Sequence, residues 1–270
     1  MEWFEALILG LIQGLTEFLP VSSSGHLEIG KEILGVRTTD DLMFTTMVHA
    51  ATVLSTIVVF RKQILSLLKG FFKFKYNDET DYLLKIAVSL VPIMIVGLFF
   101  KDQVEALFGS IKVVGIALLF TSALLFLSDI VSRPGKASAS AAAKDVRNGI
   151  SYWQAFVVGL SQALAVIPGL SRSGTTISTG LICGVRRDVM AQFSFLMVLI
   201  PILGESFLEL VGGEFASSSV GALPLALGFL SAFLSGLFAC KVMIALVRKA
   251  RLTWFAVYCL VAAAVIFIFS

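Results

Sequence analysis

Two short stretches hold most of the side chains that could do chemistry. The first reads Gln13-Gly14-Leu15-Thr16-Glu17-Phe18-Leu19-Pro20-Val21-Ser22-Ser23-Ser24-Gly25-His26. Gln13 and Glu17 are four residues apart, so a helix puts both on one face. Ser22, Ser23, Ser24, Gly25 and His26 then bring three hydroxyls and an imidazole together. Small residues running into a helix start expose backbone amides and a positive helix end, which suits an anion. Serines also cap helices, and Ser24 reads equally as an N-cap. The second stretch reads Pro168-Gly169-Leu170-Ser171-Arg172-Ser173-Gly174-Thr175-Thr176. Its arginine is permanently charged and matches phosphate oxygens two at a time, or it could neutralise Glu17. No Walker loop is present, because none of these turns is followed by the required lysine.

These residues must be positioned by elements that lie in lipid. Mean hydropathy is +0.94, 57% of residues are apolar and 14% are charged, against about a quarter charged in soluble domains. In hydrocarbon every backbone amide needs an internal partner, so the segments are helices. The alternation of a barrel strand is absent. An all-α membrane protein with no soluble domain is expected. The net charge of +3 reports topology rather than an acidic partner, and no nucleic-acid partner is expected. Cys183, Cys240 and Cys259 have neither metal nor disulfide spacing and read as packing residues. The start Met1-Glu2-Trp3-Phe4-Glu5 lacks a basic region and a cleavage site, so no removable signal peptide is expected.

A spanning helix needs about 20 apolar residues. Six stretches qualify: Leu42–Phe60, Leu84–Phe100, Val113–Ile130, Val189–Leu210, Leu223–Val247 and Thr253–Phe269. Phe4–Pro20 and Trp153–Pro168 are apolar but end at proline and a Ser/Gly-rich turn. The arm after the first turn carries Glu28, Lys31 and Glu32, too polar to complete a crossing. Two re-entrant helical hairpins are therefore expected, each surrounded by protein or a wet cavity. Arg61, Lys62, Lys69, Lys73 and Lys75 mark a loop after the first span as cytoplasmic. Arg133, Lys136, Lys144 and Arg147, then Arg186 and Arg187, then Lys241, Arg248, Lys249 and Arg251 mark three more. The loop near 205–220 holds Glu205, Glu209 and Glu214 without a base. Both termini then lie outside, and the first hairpin opens outward. Asp102, Glu105, Asp129, Glu205 and Glu209 fall at span ends, where snorkelling or solvation accounts for them. His49, inside the first span, is left open between packing and function.

The hairpins repeat each other. With a shift of 149, residues 6–36 match 155–185 at 11 of 31 positions, the polar pairs Gln13/Gln162, Ser22/Ser171, Ser24/Ser173 and Gly25/Gly174 among them. Three spans separate the copies, and an odd number reverses orientation. Inverted-topology repeats over about 1–130 and 151–270 are expected, joined by a cytoplasmic linker at about 131–150 that is rich in small residues at 133–143. Such folds bring the two tips together near the midplane. At that point the halves differ, because Ser23 faces Arg172 in the register.

The pattern resembles a known family. Gln13-x-x-x-Glu17, Glu17-Phe-Leu-Pro-Val-Ser-Ser-x-Gly-His26 and Pro168-Gly-x-Ser-Arg-Ser-x-x-Thr176 are similar to the signature motifs of the bacterial undecaprenyl-diphosphate phosphatases, known for bacitracin resistance. Some members carry Glu where this chain has Gln13. The resemblance implies hydrolysis of undecaprenyl diphosphate to the monophosphate on the outer face of the bacterial cytoplasmic membrane, recycling the lipid carrier of cell-wall synthesis. It implies a divalent cation, Mg²⁺ or Ca²⁺, with Glu17 as a ligand. Glu17, Ser23, His26 and Arg172 are expected to be catalytic: Ser23 attacks phosphorus with His26 or Glu17 as base, and Arg172 stabilises the transferred group. Water activated by His26 or Glu17 is the alternative attacker. Gln13, Ser22, Ser24, Gly25, Ser171, Ser173, Gly174 and Thr176 are expected around the phosphates. The partners are substrate and membrane lipid, with a homodimer left open. A lipid-carrier flippase or anion transporter of the same inverted-repeat design is the competing class.

Overall fold

In the computed structural model the chain is described over residues 1–36, 41–107, 110–132, 146–211, 220–249 and 251–269. The small-residue linker at 133–143, its bases Arg133, Lys136 and Lys144, and Glu214 lie outside the described residues. The same holds for the side chains of Glu105, Glu205, Glu209, Arg248 and Lys249. Every regular element among the described residues is a helix. The first hairpin is α1 (Trp3–Thr16) and α2 (Ser23–Leu34), and α3 (Asp41–Phe71), α4 (Asp78–Phe99), the short α5 (Lys101–Glu105) and α6 (Ile111–Val131) follow. After a 3-10 turn at Arg147–Gly149 come the second hairpin, α7 (Tyr152–Leu164) and α8 (Arg172–Ile182), and then α9 (Arg187–Val211), α10 (Ala222–Lys249) and α11 (Thr253–Phe269).

Five helices, α3, α4, α6, α9 and α10, are long and apolar enough to cross a membrane. The stretch expected as a sixth span forms α11, which is apolar but 17 residues long. The hairpin arms have 14, 12, 13 and 11 residues. At 1.5 Å per residue the longest covers about two thirds of a ~30 Å hydrocarbon core. Two boundaries differ from the sequence reading: α10 runs to Lys249, so Lys241, Arg248 and Lys249 lie in that helix and not in the last loop, and α3 runs past its expected end. Arg61, Lys62 and Lys69 are not in a loop, because α3 continues to Phe71. Nothing there breaks a helix, and Ile64 and Leu67 still pack against the core beyond the two bases.

The hairpins close with the same chemistry in the same register. Ser22 Oγ accepts from Gly25 N at 3.2 Å and caps α2, while Ser171 Oγ accepts from Gly174 N at 3.1 Å and caps α8. The cap is therefore Ser22 and not Ser24. At the far ends Gly35 and Gly184 have φ of 69° and 84°, the left-handed conformation that ends a helix and that glycine adopts without strain.

Each hairpin rests on a helix remote from it in sequence. α1 packs on α10, α7 on α4, and α6 on α11. Two glycines permit the first two contacts. A Cβ on Gly10 would strike the carbonyl of Gly228, and one on Gly159 the carbonyl of Ser89. Backbone cannot yield as a side chain can. Gly159→Leu is accordingly expected to force α7 off α4 and lower the thermal midpoint in detergent by several degrees or more, since overpacking costs about 1–3 kcal/mol. An unchanged melt would mean that this crossing is loose.

Asp129 departs from its expected solvated span end. It is buried, at 5% exposure, and accepts from Arg187 Nη2 at 2.6 Å and from Thr253 Oγ1 at 2.6 Å. Burial without these donors would be prohibitive. A second buried pair, Lys85–Asp81 at 2.5 Å, sits where α4 meets the 3-10 turn. There Lys85 also donates to the Arg147 carbonyl and Asn148 donates to Asp81.

Candidate active site

The two tips touch. Ser173 Oγ donates to the Leu19 carbonyl at 3.1 Å, and Gly169 N donates to Ser24 Oγ at 3.4 Å. These contacts are related by the repeat register: Ser24 corresponds to Ser173, and each hairpin's serine holds the other's tip. Gly25 and Gly174 are small for the same reason. A Cβ on Gly25 would lie 3.4 Å from Gly169 Cα, and one on Gly174 3.2 Å from Pro20 Cβ. Six of the expected phosphate-binding residues thus have structural work at the tips: Ser22 and Ser171 as caps, Ser24 and Ser173 as stitches, Gly25 and Gly174 as close-packing points.

Beside this junction four residues converge. Glu17 ends α1 in helical geometry, so Gln13 and Glu17 do share a face. Gln13 Nε2 donates to Glu17 Oε2 at 2.8 Å, and Ser23 Oγ donates to the same oxygen at 2.6 Å. The latter is a short charge-assisted bond, the arrangement of a nucleophile beside its base. Glu17 and Arg172 line one cavity. They form no direct ion pair among the described residues. Arg172 Nε and Nη1 are buried and have no hydrogen-bond partner among the described residues. Leaving guanidinium N–H groups buried and unpaired costs kilocalories each, and an anion other than a side chain would satisfy them. The rest of the wall includes hydroxyls (Thr52, Thr56, Ser194) and the apolar side chains of Val198, Leu199 and Ile202. Thr176, the last expected phosphate-binding residue, is 1% exposed and reaches this wall through Ser194, its Oγ1 being 2.7 Å from Ser194 Oγ.

His26 is placed differently. Its Nδ1 lies 2.7 Å from the Ser22 carbonyl and so carries a proton. Its Nε2 lies 2.6 Å from the Tyr258 hydroxyl, and the two rings stack at 5.5 Å. In a neutral ring Nε2 accepts from that hydroxyl. Among the described residues neither nitrogen hydrogen-bonds Ser23 or Glu17, and Glu17 is the carboxylate that accepts from the serine.

His49, left open in sequence between packing and function, lies beside Glu17. Its Nδ1 lies 2.8 Å from the Thr45 carbonyl, and its Nε2 lies 3.8 Å from Glu17 Oε2. The available signal was an imidazole at membrane depth, which is rarely idle. Tyr258 and Ser194 carried no signal, since each reaches the site from a distant helix. The oxygens that fit a divalent cation are the Glu17 carboxylate and Gln13 Oε1, a buried carbonyl oxygen without a donor. No group of three or more His, Cys, Asp or Glu with metal-holding geometry occurs among the described residues.

Comparison with known proteins bears on this arrangement. A protein of Bacteroides fragilis named "Undecaprenyl-diphosphatase" is 50% identical over 274 residues, covering 100% of this chain and 99% of its own length. Proteins of the same name from Parabacteroides distasonis and Carboxydothermus hydrogenoformans are 52% identical over 266 residues and 39% identical over 261 residues. They cover 97% and 96% of this chain and 96% and 94% of their own lengths. The profile of the family described as "Bacitracin resistance protein BacA" matches residues 6–265. A match of that extent embraces both hairpins and every helix between them, and the chain belongs to the bacitracin resistance protein BacA family.

Proposed function

We propose that this chain is a multi-pass membrane phosphatase that hydrolyses undecaprenyl diphosphate to undecaprenyl phosphate and inorganic phosphate. The observation that carries the reading is that Glu17, which accepts a hydrogen bond from Ser23, lines one cavity with Arg172, whose Nε and Nη1 are unpaired among the described residues. Ser23 Oγ gives its proton to Glu17 and bonds to the terminal phosphorus as the bridging P–O bond breaks, releasing undecaprenyl phosphate. Arg172 Nε and Nη1 bind oxygens of the transferred phosphoryl group, where charge is held in the transition state. Water then attacks the phosphoserine. Inorganic phosphate leaves, and Glu17 returns the proton to Ser23. Glu17 and Gln13 Oε1, with substrate oxygens, would hold Mg²⁺ or Ca²⁺, because such ions use few protein carboxylates beside phosphates. Bound there, the ion would neutralise diphosphate charge. His26, held by Ser22 and Tyr258, orients the turn that presents Ser23.

The finer architecture belongs to the same proposal. α1–α2 and α7–α8 are re-entrant hairpins, α11 is the sixth span, and residues of about 1–130 and 151–270 are inverted repeats. Their matching caps, stitches and glycine crossings support this. The distribution of basic residues supports termini outside the bacterial cytoplasmic membrane and a site open outward, the face on which a spent carrier is released. Single cysteines near 73–78, in a background lacking the three native ones, should react with an impermeant maleimide only from the cytoplasm, and those near 213–219 only from outside. The opposite pattern would place the site on the wrong face.

The deciding experiment is phosphate release from a C55 or C15 isoprenyl diphosphate by purified protein in detergent micelles. A hydrolase turns over there. A flippase or anion transporter needs two compartments, so absence of phosphate in micelles together with transport in vesicles would replace this reading.

A further inference from the structure

We infer that residues 61–76 form a binding surface for the headgroups of anionic glycerophospholipids, separate from the catalytic cavity. The segment carries Arg61, Lys62, Lys69, Lys73 and Lys75 and not one acid. The lysines at 69, 73 and 75 are exposed and enter no ion pair among the described residues. Asp78 and Asp81 are engaged elsewhere, with Arg147 and Lys85. Glu79 lies against Gly70 of the segment and pairs with none of its lysines among the described residues, so five bases face one acid.

Between these cations stand large exposed apolar groups. Leu65, Leu68 and Phe72 follow helical spacing along one stripe of α3 and the turn that continues it. Phe72 and Phe74 are 65% and 85% exposed. Phe71, Phe72 and Phe74 pack on one another with centroids 5.7–6.5 Å apart. The turn is fixed from behind: Asn77 Nδ2 donates to the Gly70 carbonyl at 2.9 Å and Thr80 Oγ1 to the Lys75 carbonyl at 3.1 Å. Phe74 is held at φ 50°, an uncommon conformation for a bulky residue. The rings continue into Tyr76, 3.4 Å from the Tyr152 hydroxyl, beside the exposed Trp153.

Rings presented rigidly and interleaved with lysines suit the boundary between acyl chains and headgroups. A zwitterionic headgroup would serve the rings but leave the cations without counter-charge. An anionic phosphate serves both, and clusters of bases next to a span attract such lipids.

The test uses the full chain carrying Arg172→Ala, so that a lipid phosphate is not held by the catalytic fork. Native mass spectrometry in detergent measures adducts with phosphatidylglycerol and with phosphatidylcholine of the same acyl chains. The parent should prefer phosphatidylglycerol, and Lys69→Gln/Lys73→Gln/Lys75→Gln should lose on the order of a hundredfold of that preference, at roughly fivefold per lysine. Lys112→Gln, an exposed lysine outside the segment, should retain it. Equal affinity of the parent for both lipids, a preference that survives the triple substitution, or the same loss from Lys112→Gln would overturn the inference.

Discussion

Replacing Arg172 with lysine lowers kcat/KM on an isoprenyl diphosphate by at least about a hundredfold, the scale seen when one preorganised transition-state donor is lost. Lysine keeps the charge but loses the planar fork, and the atoms that matter are Nε and Nη1, both buried and unpaired. A flexible ammonium cannot take both positions. Arg172→Ala does no better. Steady-state kinetics with protein of unchanged melting temperature check this. Lysine activity within tenfold of the parent would show that charge alone is needed and that the orphaned N–H groups are incidental.

Ser23→Ala abolishes turnover, since the hydroxyl that donates to Glu17 at 2.6 Å is the proposed nucleophile. Neighbouring serines provide the contrast. Ser171→Ala removes the cap of α8 and costs about 1 kcal/mol of stability. Ser173→Ala removes a stitch to Leu19. Both should leave measurable activity and lower the thermal midpoint. Glu17→Gln should be severe, and raised cation concentration would rescue it only if the loss is one of metal binding. Near-native turnover by Ser23→Ala would rule out the phosphoserine route and leave water, activated by Glu17 or His26, as the attacker.

The tips were legible in sequence for a physical reason. Glu17 and Arg172 are expensive at membrane depth, so their presence in apolar context announces a site, and the repeat says that the two belong together. What the register could not convey was the division of labour among the small residues. Ser22 and Ser24 look alike in a string, yet one caps α2 and the other accepts from Gly169. His49 was ambiguous because its contact with Glu17 is made between helices, with no local motif to mark it. The end of α3 was misplaced because Arg61 and Lys62 resemble the edge of a span. Burial of Ile64 and Leu67 carries the helix onward, and that is a tertiary effect. Asp129 likewise depended on Arg187 and Thr253, remote in sequence and close in space.

The packing of α1 on α10 also fixes an order of events during synthesis. α1 ends at Thr16, and the helix that seats its Gly10 face begins at Ala222. At ribosomal rates of 5–20 residues per second that interval is roughly ten to forty seconds. Throughout it Glu17 is already made but its clasp is not, whereas α7 finds α4 waiting in the membrane. The second hairpin can therefore seat as it emerges, and the first must seat late. Each half carries the surface on which the other's hairpin rests, so two separately translated halves have what they need to complete each other.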